Sequence, residues 1–223
     1  MSATAGVIGG MGPEATVDFL RRIVAATPAR DDEDHIRVLV DNNPKIPSRL
    51  AHLVLGTGED PAPVLTAMAR GLQAQGADFL AVPCNTAHHY LPQIAVSVSI
   101  PVLDMVALAI AGLPAARRIG MLASPAVQKV GLYARRLQEA GCGAVFPDAQ
   151  GEARMLGVIR AVKAGNVTAQ HRRDYAQVAA ALEADAYLIA CTELSVLGAP
   201  DGLRKPAVDA LDALVAETVA RAI

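Results

Sequence analysis

Two of the three cysteines occupy matching places in the sequence. One Ala-Asp pair leads into an apolar segment that ends at Cys84, and a second Ala-Asp pair leads into one that ends at Cys191. Each cysteine stands just before a predicted helix, whose free N–H groups and dipole favour the thiolate. Acid/base groups on opposite faces of a planar carbanion can take a proton from one face and deliver one to the other. The two cysteines therefore favour stereoinversion, with two nearly equivalent faces.

Polar residues follow both cysteines: Asn85 and Thr86 after the first, Thr192 and Glu193 after the second. A free cysteine is often a core residue, so packing explains either cysteine alone. Polar side chains clustered beside a thiol instead favour a ligand site. Glu193 could tune the proton affinity of Cys191, but it is expected to stabilise the N-terminus of its helix. Cys142 lies between two glycines without such neighbours, and we assign it no role.

Short apolar segments alternate with longer amphipathic ones, which is typical of β-α-β units around a mainly parallel sheet. The pattern predicts an α/β fold. Strands are predicted over residues 5–9, 36–41, 79–83, 100–103, 118–123, 143–146, 187–190 and 206–208. Helices are predicted to begin near Pro13, Pro61, Thr86, Met105, Pro125, Gln150, Thr168, Glu193 and Asp209.

The two cysteine segments belong to a longer internal repeat. Pro-Val-Leu-Asp at 101–104 follows Cys84 much as Pro-Ala-Val-Asp at 206–209 follows Cys191. The repeat predicts two similar lobes, each with a four-stranded sheet: residues 1–104 with 209–223, and residues 105–208. Ligands of open α/β sheets bind at the carboxyl ends of the strands. Two facing lobes would therefore place both thiols across one cleft.

Composition excludes several classes of function. The 223 residues are 52% hydrophobic and 19% charged, with net charge −2 and no Trp, so we expect a folded protein that does not bind nucleic acid. The longest apolar stretch, 105–116, is shorter than the roughly 20 residues of a membrane span. The first five residues lack the features of a secretory signal, which predicts a cytoplasmic protein with reduced thiols.

Four motifs occur in order along the chain: Gly-Gly-Met-Gly-Pro-Glu-Ala-Thr at 9–16, Asn-Asn-Pro-Lys-Ile-Pro-Ser-Arg at 42–49, Pro-Cys-Asn-Thr-Ala-His at 83–88 and Ala-Cys-Thr-Glu-Leu at 190–194. Over nearly its whole length the chain thereby resembles the cofactor-independent aspartate/glutamate racemases. The resemblance implies two α/β lobes related by a pseudo-twofold axis, a homodimer, a small amino-acid substrate, and neither pyridoxal phosphate nor a metal.

The resemblance also implies roles for individual residues. Cys84 and Cys191 would carry the proton transfers, and Arg49 and Lys163 would bind the substrate's carboxylates. Side chains and helix-terminal N–H groups would hold the α-carboxylate at Asn85, Thr86 and Thr192, with Met11 close by. The chain departs from many members at Ser124-Pro125, where they carry a threonine-rich turn. This departure affects the expected side-chain specificity more than racemisation itself.

Several explanations compete with this interpretation. Residues 10–15 fit the dinucleotide pattern, but Asp41 lies too far along the chain to complete it. His88 and His89 would suit a Cys/His hydrolase or a metal site, although solvent or a structural hydrogen bond is the favoured explanation for each. A solvated helix end equally explains Lys163. Also open are a dicarboxylic-acid isomerase or decarboxylase, as in maleate isomerases and arylmalonate decarboxylases, and a non-catalytic amino-acid-binding module.

Overall fold

The computed structural model describes residues 2–223, which form two parallel sheets flanked by helices. The first sheet has the order β2-β1-β3 and is built from β1 (Ala5–Gly9), β2 (Val38–Asn42) and β3 (Phe79–Ala81). The second has the order β5-β4-β6-β7 and is built from β4 (Arg118–Ala123), β5 (Gly143–Val145), β6 (Ala186–Ala190) and β7 (Ala207–Asp209). The predicted α/β class is confirmed.

The two sheets repeat one topology. In each, the first strand along the chain lies between the second and the third. The second sheet adds β7 beside β6, whereas the first sheet has only a bridge between Leu80 and Val102 at the equivalent place. Four strands were predicted in both. Because β3 already ends at Ala81, residues 100–103 have little strand to pair with.

Ten α-helices surround the sheets in the described residues: α1 (Pro13–Ala26), α2 (Ala62–Ala74), α3 (Leu91–Val96), α4 (Met105–Ala111), α5 (Pro125–Lys129), α6 (Ala134–Glu139), α7 (Ala149–Lys163), α8 (Ala169–Ala181), α9 (Thr192–Leu197) and α10 (Ala210–Ala222). Predicted starts agree within one residue except near Thr86, where a 3-10 helix (Thr86–Tyr90) precedes α3. Helix α6 and a π-helix (Ala51–Leu55) were not predicted. Among residues 2–223, no helix has the length and hydropathy of a membrane-spanning segment.

Packing joins the two sheets. One apolar core cluster contains side chains from both, including Val7 and Phe79 from the first sheet and Met121 and Leu188 from the second. Arg22 on α1 adds ion pairs to α10 and to the end of β7. Because the two sheets share this core, the carboxyl ends of their strands are held in fixed positions relative to one another. The lobe boundaries at 104/105 and 208/209 stay a prediction.

Candidate active site

The carboxyl ends of strands from both sheets meet at a cavity of about 70 Å³. Cys84 lies shortly after β3, and Cys191 directly follows β6. Both thiols line this one cavity, each with about 5% of its surface exposed (5% and 6%). All eight residues predicted for the site line it: Met11, Arg49, Cys84, Asn85, Thr86, Lys163, Cys191 and Thr192. The structure therefore brings the predicted set together, while the role of each residue stays a prediction.

The glycine-rich loop after β1 carries Met11 into the cavity. Gly10 has φ +93°, and a Cβ there would lie 2.3 Å from the carbonyl of Asn43. Only glycine allows this close approach between the loop and the segment after β2. The glycine pattern thus has a packing cause that needs no nucleotide. Ser124, at the end of β4, also lines the cavity in place of the threonine-rich turn.

At the Cys84 end, a buried histidine holds the backbone. His88 Nδ1 donates to the Cys84 carbonyl at 2.9 Å, and Nε2 accepts from the Met105 N–H at 3.0 Å. Because Nε2 is the acceptor, the proton lies on Nδ1. Burial lowers the pKa of His88, so the ring is neutral. The structural hydrogen bond favoured for His88 is confirmed, and His89 is exposed.

Asn85 presents an unpaired donor to the site. Its side chain is 2% exposed and lines the cavity. Its Oδ1 accepts from the Tyr133 hydroxyl, whereas Nδ2 has no hydrogen-bond partner in the described part of the chain. A buried amide N–H₂ without a partner is costly, and an anionic ligand would satisfy it.

At the Cys191 end, the thiol contacts a carboxylate. Cys191 is the N-cap of α9, and its Sγ donates to Glu193 Oε2 at 3.1 Å. Burial raises the pKa of the Cys191 thiol well above its usual value, and the negative charge of Glu193 raises it further. The expectation of a thiolate at Cys191 is therefore wrong, because burial outweighs the dipole of a six-residue helix. Glu193 likewise contacts the thiol, beyond the helix-end role expected of it.

The two predicted cations differ in their partners. Lys163 Nζ lies 3.3 Å from Glu193 Oε1, close enough for an ion pair but not aligned for a hydrogen bond. Among residues 2–223, Arg49 donates only to the carbonyls of Pro47 and Met11, and its Nε has no partner there. Within the described residues, Arg49 forms no ion pair. Its charge is thus free for a ligand.

A second chamber of about 410 Å³ adjoins the cavity. The two share four lining residues, namely Ser48, Arg49, Lys163 and Glu193. The ion pair between Lys163 and Glu193 therefore stands in the wall between them.

Sequence reasoning missed Tyr133, and for Glu193 it preferred the helix-end role over an effect on the thiol. Tyr133 gives no local signal, since it contacts a residue 48 positions away. Glu193 has a signal in its position two residues after Cys191, at the start of a helix where its side chain can fold back onto the thiol.

Comparison with known proteins agrees with the geometry. A sequence model of the Asp/Glu/Hydantoin racemase family matches residues 8–218. The chain belongs to this family. This racemase is 26% identical over 223 residues to the broad specificity amino-acid racemase RacX of Bacillus subtilis (strain 168), covering 96% of both chains.

Solved structures of racemases share the fold. Aspartate racemase from Picrophilus torridus superposes with a TM-score of 0.89 at 28% identity, covering 99% of this chain and 94% of that one. Glutamate racemase from Thermus thermophilus superposes with a TM-score of 0.66 at 20% identity, covering 99% and 80%. The protein is thus an isomerase, an amino-acid racemase with a small-molecule substrate. A homodimer and a cytoplasmic location stay predictions.

Proposed function

We propose that the protein racemises an acidic amino acid, aspartate or glutamate, at Cα without a cofactor, with Cys84 and Cys191 as the two bases. The observation that carries the proposal is that both thiols line one small cavity together with two cationic side chains and an unpaired amide donor. The names of two similar racemases, one for aspartate and one for broad specificity, also support it.

The reaction consists of two proton transfers. The thiolate of one cysteine takes the α-proton and becomes a thiol, and the thiol of the other gives its proton to the opposite face of Cα and becomes a thiolate. No other bond forms or breaks, so the two cysteines exchange states with each turnover. Because Cys191 rests as a thiol held by Glu193, it starts as the proton donor and Cys84 as the base.

Substrate carboxylates would occupy the donors of the cavity. Asn85 Nδ2, with the hydroxyls of Thr86 and Thr192, would hold the α-carboxylate, where negative charge develops as the α-proton leaves. Arg49 and Lys163 would hold the side-chain carboxylate. Aspartate and glutamate fit this set because both carry two carboxylates.

The test incubates the protein with L- and D-aspartate, and with L- and D-glutamate, separately in deuterated water. Optical rotation and α-deuterium are followed together. We expect loss of rotation from either enantiomer, with deuterium in the inverted product. Cys84→Ser and Cys191→Ser should each lower inversion more than about 1,000-fold, because a serine hydroxyl is a far weaker acid than a thiol.

Cys142→Ser is the matched control. Cys142 does not line the cavity and bonds to the carbonyl of Ala116, so this variant should keep full activity. Full activity in either of the other two serine variants would exclude the two-thiol scheme. Binding of aspartate without deuterium at Cα would instead indicate a non-catalytic binding module.

A further inference from the structure

A buried hydrogen bond fixes the amide of Asn85. Tyr133 is completely buried in the apolar core between α5 and α6, and its hydroxyl donates to Asn85 Oδ1 at 2.5 Å. The two residues come from opposite halves of the internal repeat, so this bond also crosses between them. Tyr133 makes no other side-chain hydrogen bond within residues 2–223.

The bond determines which end of the amide faces the cavity. A tyrosine hydroxyl has one proton to donate, and in this core its available acceptor is Asn85 Oδ1. With the amide reversed, the N–H₂ group would donate to the hydroxyl oxygen, and the hydroxyl proton would have to point away from Asn85. The hydroxyl proton would then be buried without a partner. The observed orientation is therefore the favoured one, and it leaves Nδ2 as a donor at the cavity.

We propose that Tyr133 is a positioning residue that holds Asn85 as a hydrogen-bond donor and thereby makes this end of the cavity select a carboxylate. The inference rests on the proposed function, because it takes Asn85 as a substrate ligand. A reversed amide would present its carbonyl oxygen to the carboxylate and repel it.

The Tyr133 hydroxyl stays protonated, which keeps Asn85 Nδ2 facing the cavity as a donor. Burial raises the pKa of Tyr133 far above its usual value, so the hydroxyl keeps its proton at neutral and moderately alkaline pH. The donor role of Asn85 is therefore independent of pH in this range. A charged residue at position 133 would not provide this constancy.

Tyr133→Phe removes the hydroxyl and retains the ring. We expect the KM for L-aspartate to rise about tenfold and kcat to fall about threefold, because the lost contact binds the carboxylate in the ground state and strengthens as charge develops in the transition state. The Kd for L-aspartate, measured by calorimetry, should rise by the same factor.

Tyr175→Phe is the matched control. Tyr175 is 2% exposed, and its hydroxyl has no hydrogen-bond partner in the described chain. The same atom is thus removed from a similarly buried tyrosine, and KM and Kd should stay at the wild-type values. Thermal unfolding of both variants checks that they are folded under the assay conditions.

A double-mutant cycle separates positioning from packing. In an Asn85→Ala background, Tyr133→Phe should cause no further rise in KM or Kd, since the group that it positions is gone. An unchanged KM in Tyr133→Phe, or additive effects in the cycle, would overturn the inference. A wild-type protein that binds aspartate but does not racemise it would refute the proposed reaction. The Kd values of the variants would still test whether Tyr133 positions Asn85. Absence of both binding and turnover would refute both.

Discussion

The two cysteine loops follow equivalent strands but surround their thiols differently. After Cys84 the chain forms a 3-10 helix, and His88 ties the Cys84 carbonyl to the start of α4 through neutral hydrogen bonds. After Cys191 the chain enters α9 directly, and the thiol itself contacts the carboxylate of Glu193. One loop is held through its backbone and the other through its reactive atom.

This difference shows that a repeated backbone does not imply repeated electrostatics. The sheet order is the same in both halves, so both thiols reach the cavity. Their charged neighbours are not the same, because Glu193 has the neutral Thr86 as its counterpart after Cys84. In the proposed reaction the two faces of the substrate would therefore meet unequal groups, contrary to the near-equivalence expected from sequence. The proton of Cys191 needs a specific acceptor before this thiol can act as a base.

Among substitutions outside the two cysteines, removing that acceptor should have the largest effect. Glu193→Gln keeps the size of the side chain but cannot take the proton of Cys191, so we expect kcat to fall about 100-fold. In deuterated water, one enantiomer should still gain α-deuterium without inversion, through Cys84 alone. Mass spectrometry and optical rotation measure the two processes.

Glu139→Gln is the control for this substitution, since Glu139 is exposed on α6 and pairs only with Arg135 in the described chain. It should retain wild-type activity. A kcat for Glu193→Gln within about threefold of wild type would contradict a role in proton transfer. So would equal loss of deuterium exchange from both enantiomers, because this would indicate damage to the whole site.

The sequence predicted where the site residues lie, but it did not predict their protonation states. Cys84 and Cys191 lie at the cavity because parallel strands place their carboxyl ends at one edge, which strand pattern and repeat already indicate. The protonation of Cys191 depends on burial and on the fold of Glu193 back onto it. Burial depends on the tertiary structure, so the sequence showed only the effect of the helix dipole on the thiol and not the larger, opposing effect of burial.

Long-range contacts account for the other differences. Tyr133 contacts Asn85 across 48 positions, and Lys163 pairs with Glu193 from the end of α7. Neither contact has a local pattern. The missing fourth strand of the first sheet has the same cause, since apolar residues 100–103 suit a strand but find only Leu80 to pair with.

Substitutions of the two cations, Arg49 and Lys163, should have different effects on KM and kcat. Arg49 has no ion pair in the described residues, so Arg49→Met should raise the KM for aspartate roughly tenfold and change kcat little. Lys163 pairs with Glu193, and Lys163→Met should raise KM similarly and also lower kcat, because Glu193 loses its positive partner. Steady-state kinetics in both directions measures the difference.

Lys45→Met provides the control for both cations, since Lys45 is exposed on the segment that carries Arg49 and does not line the cavity. Its KM and kcat should equal those of the wild type. If Lys163→Met changed KM alone, Lys163 would be a ligand only, and the Cys191 end would not depend on its charge.

The smallest effect is expected at the Cys84 end, where His88 should influence stability through its titration. Burial lowers the pKa of His88, so the folded protein excludes a proton that the unfolded chain binds below about pH 6.5. Stability should therefore fall as pH decreases below this value, by up to about 1.4 kcal/mol per pH unit for one proton. His88→Gln keeps a donor and an acceptor without the titration, and its unfolding free energy should lose this slope.

Urea unfolding at pH 7.5, 6.0 and 5.0 measures the slope, with His89→Gln as the matched control. His89 is the exposed neighbour, so its variant should keep the wild-type dependence on pH. His88→Gln is expected to be less stable than wild type at pH 7.5, because glutamine cannot reproduce both bonds of the ring, and to approach wild type at pH 5.0. An identical slope in wild type and His88→Gln would mean that the ring is protonated in the folded protein. The Cys84 loop would then carry a charge, and the contrast with the Cys191 loop would rest on Glu193 alone.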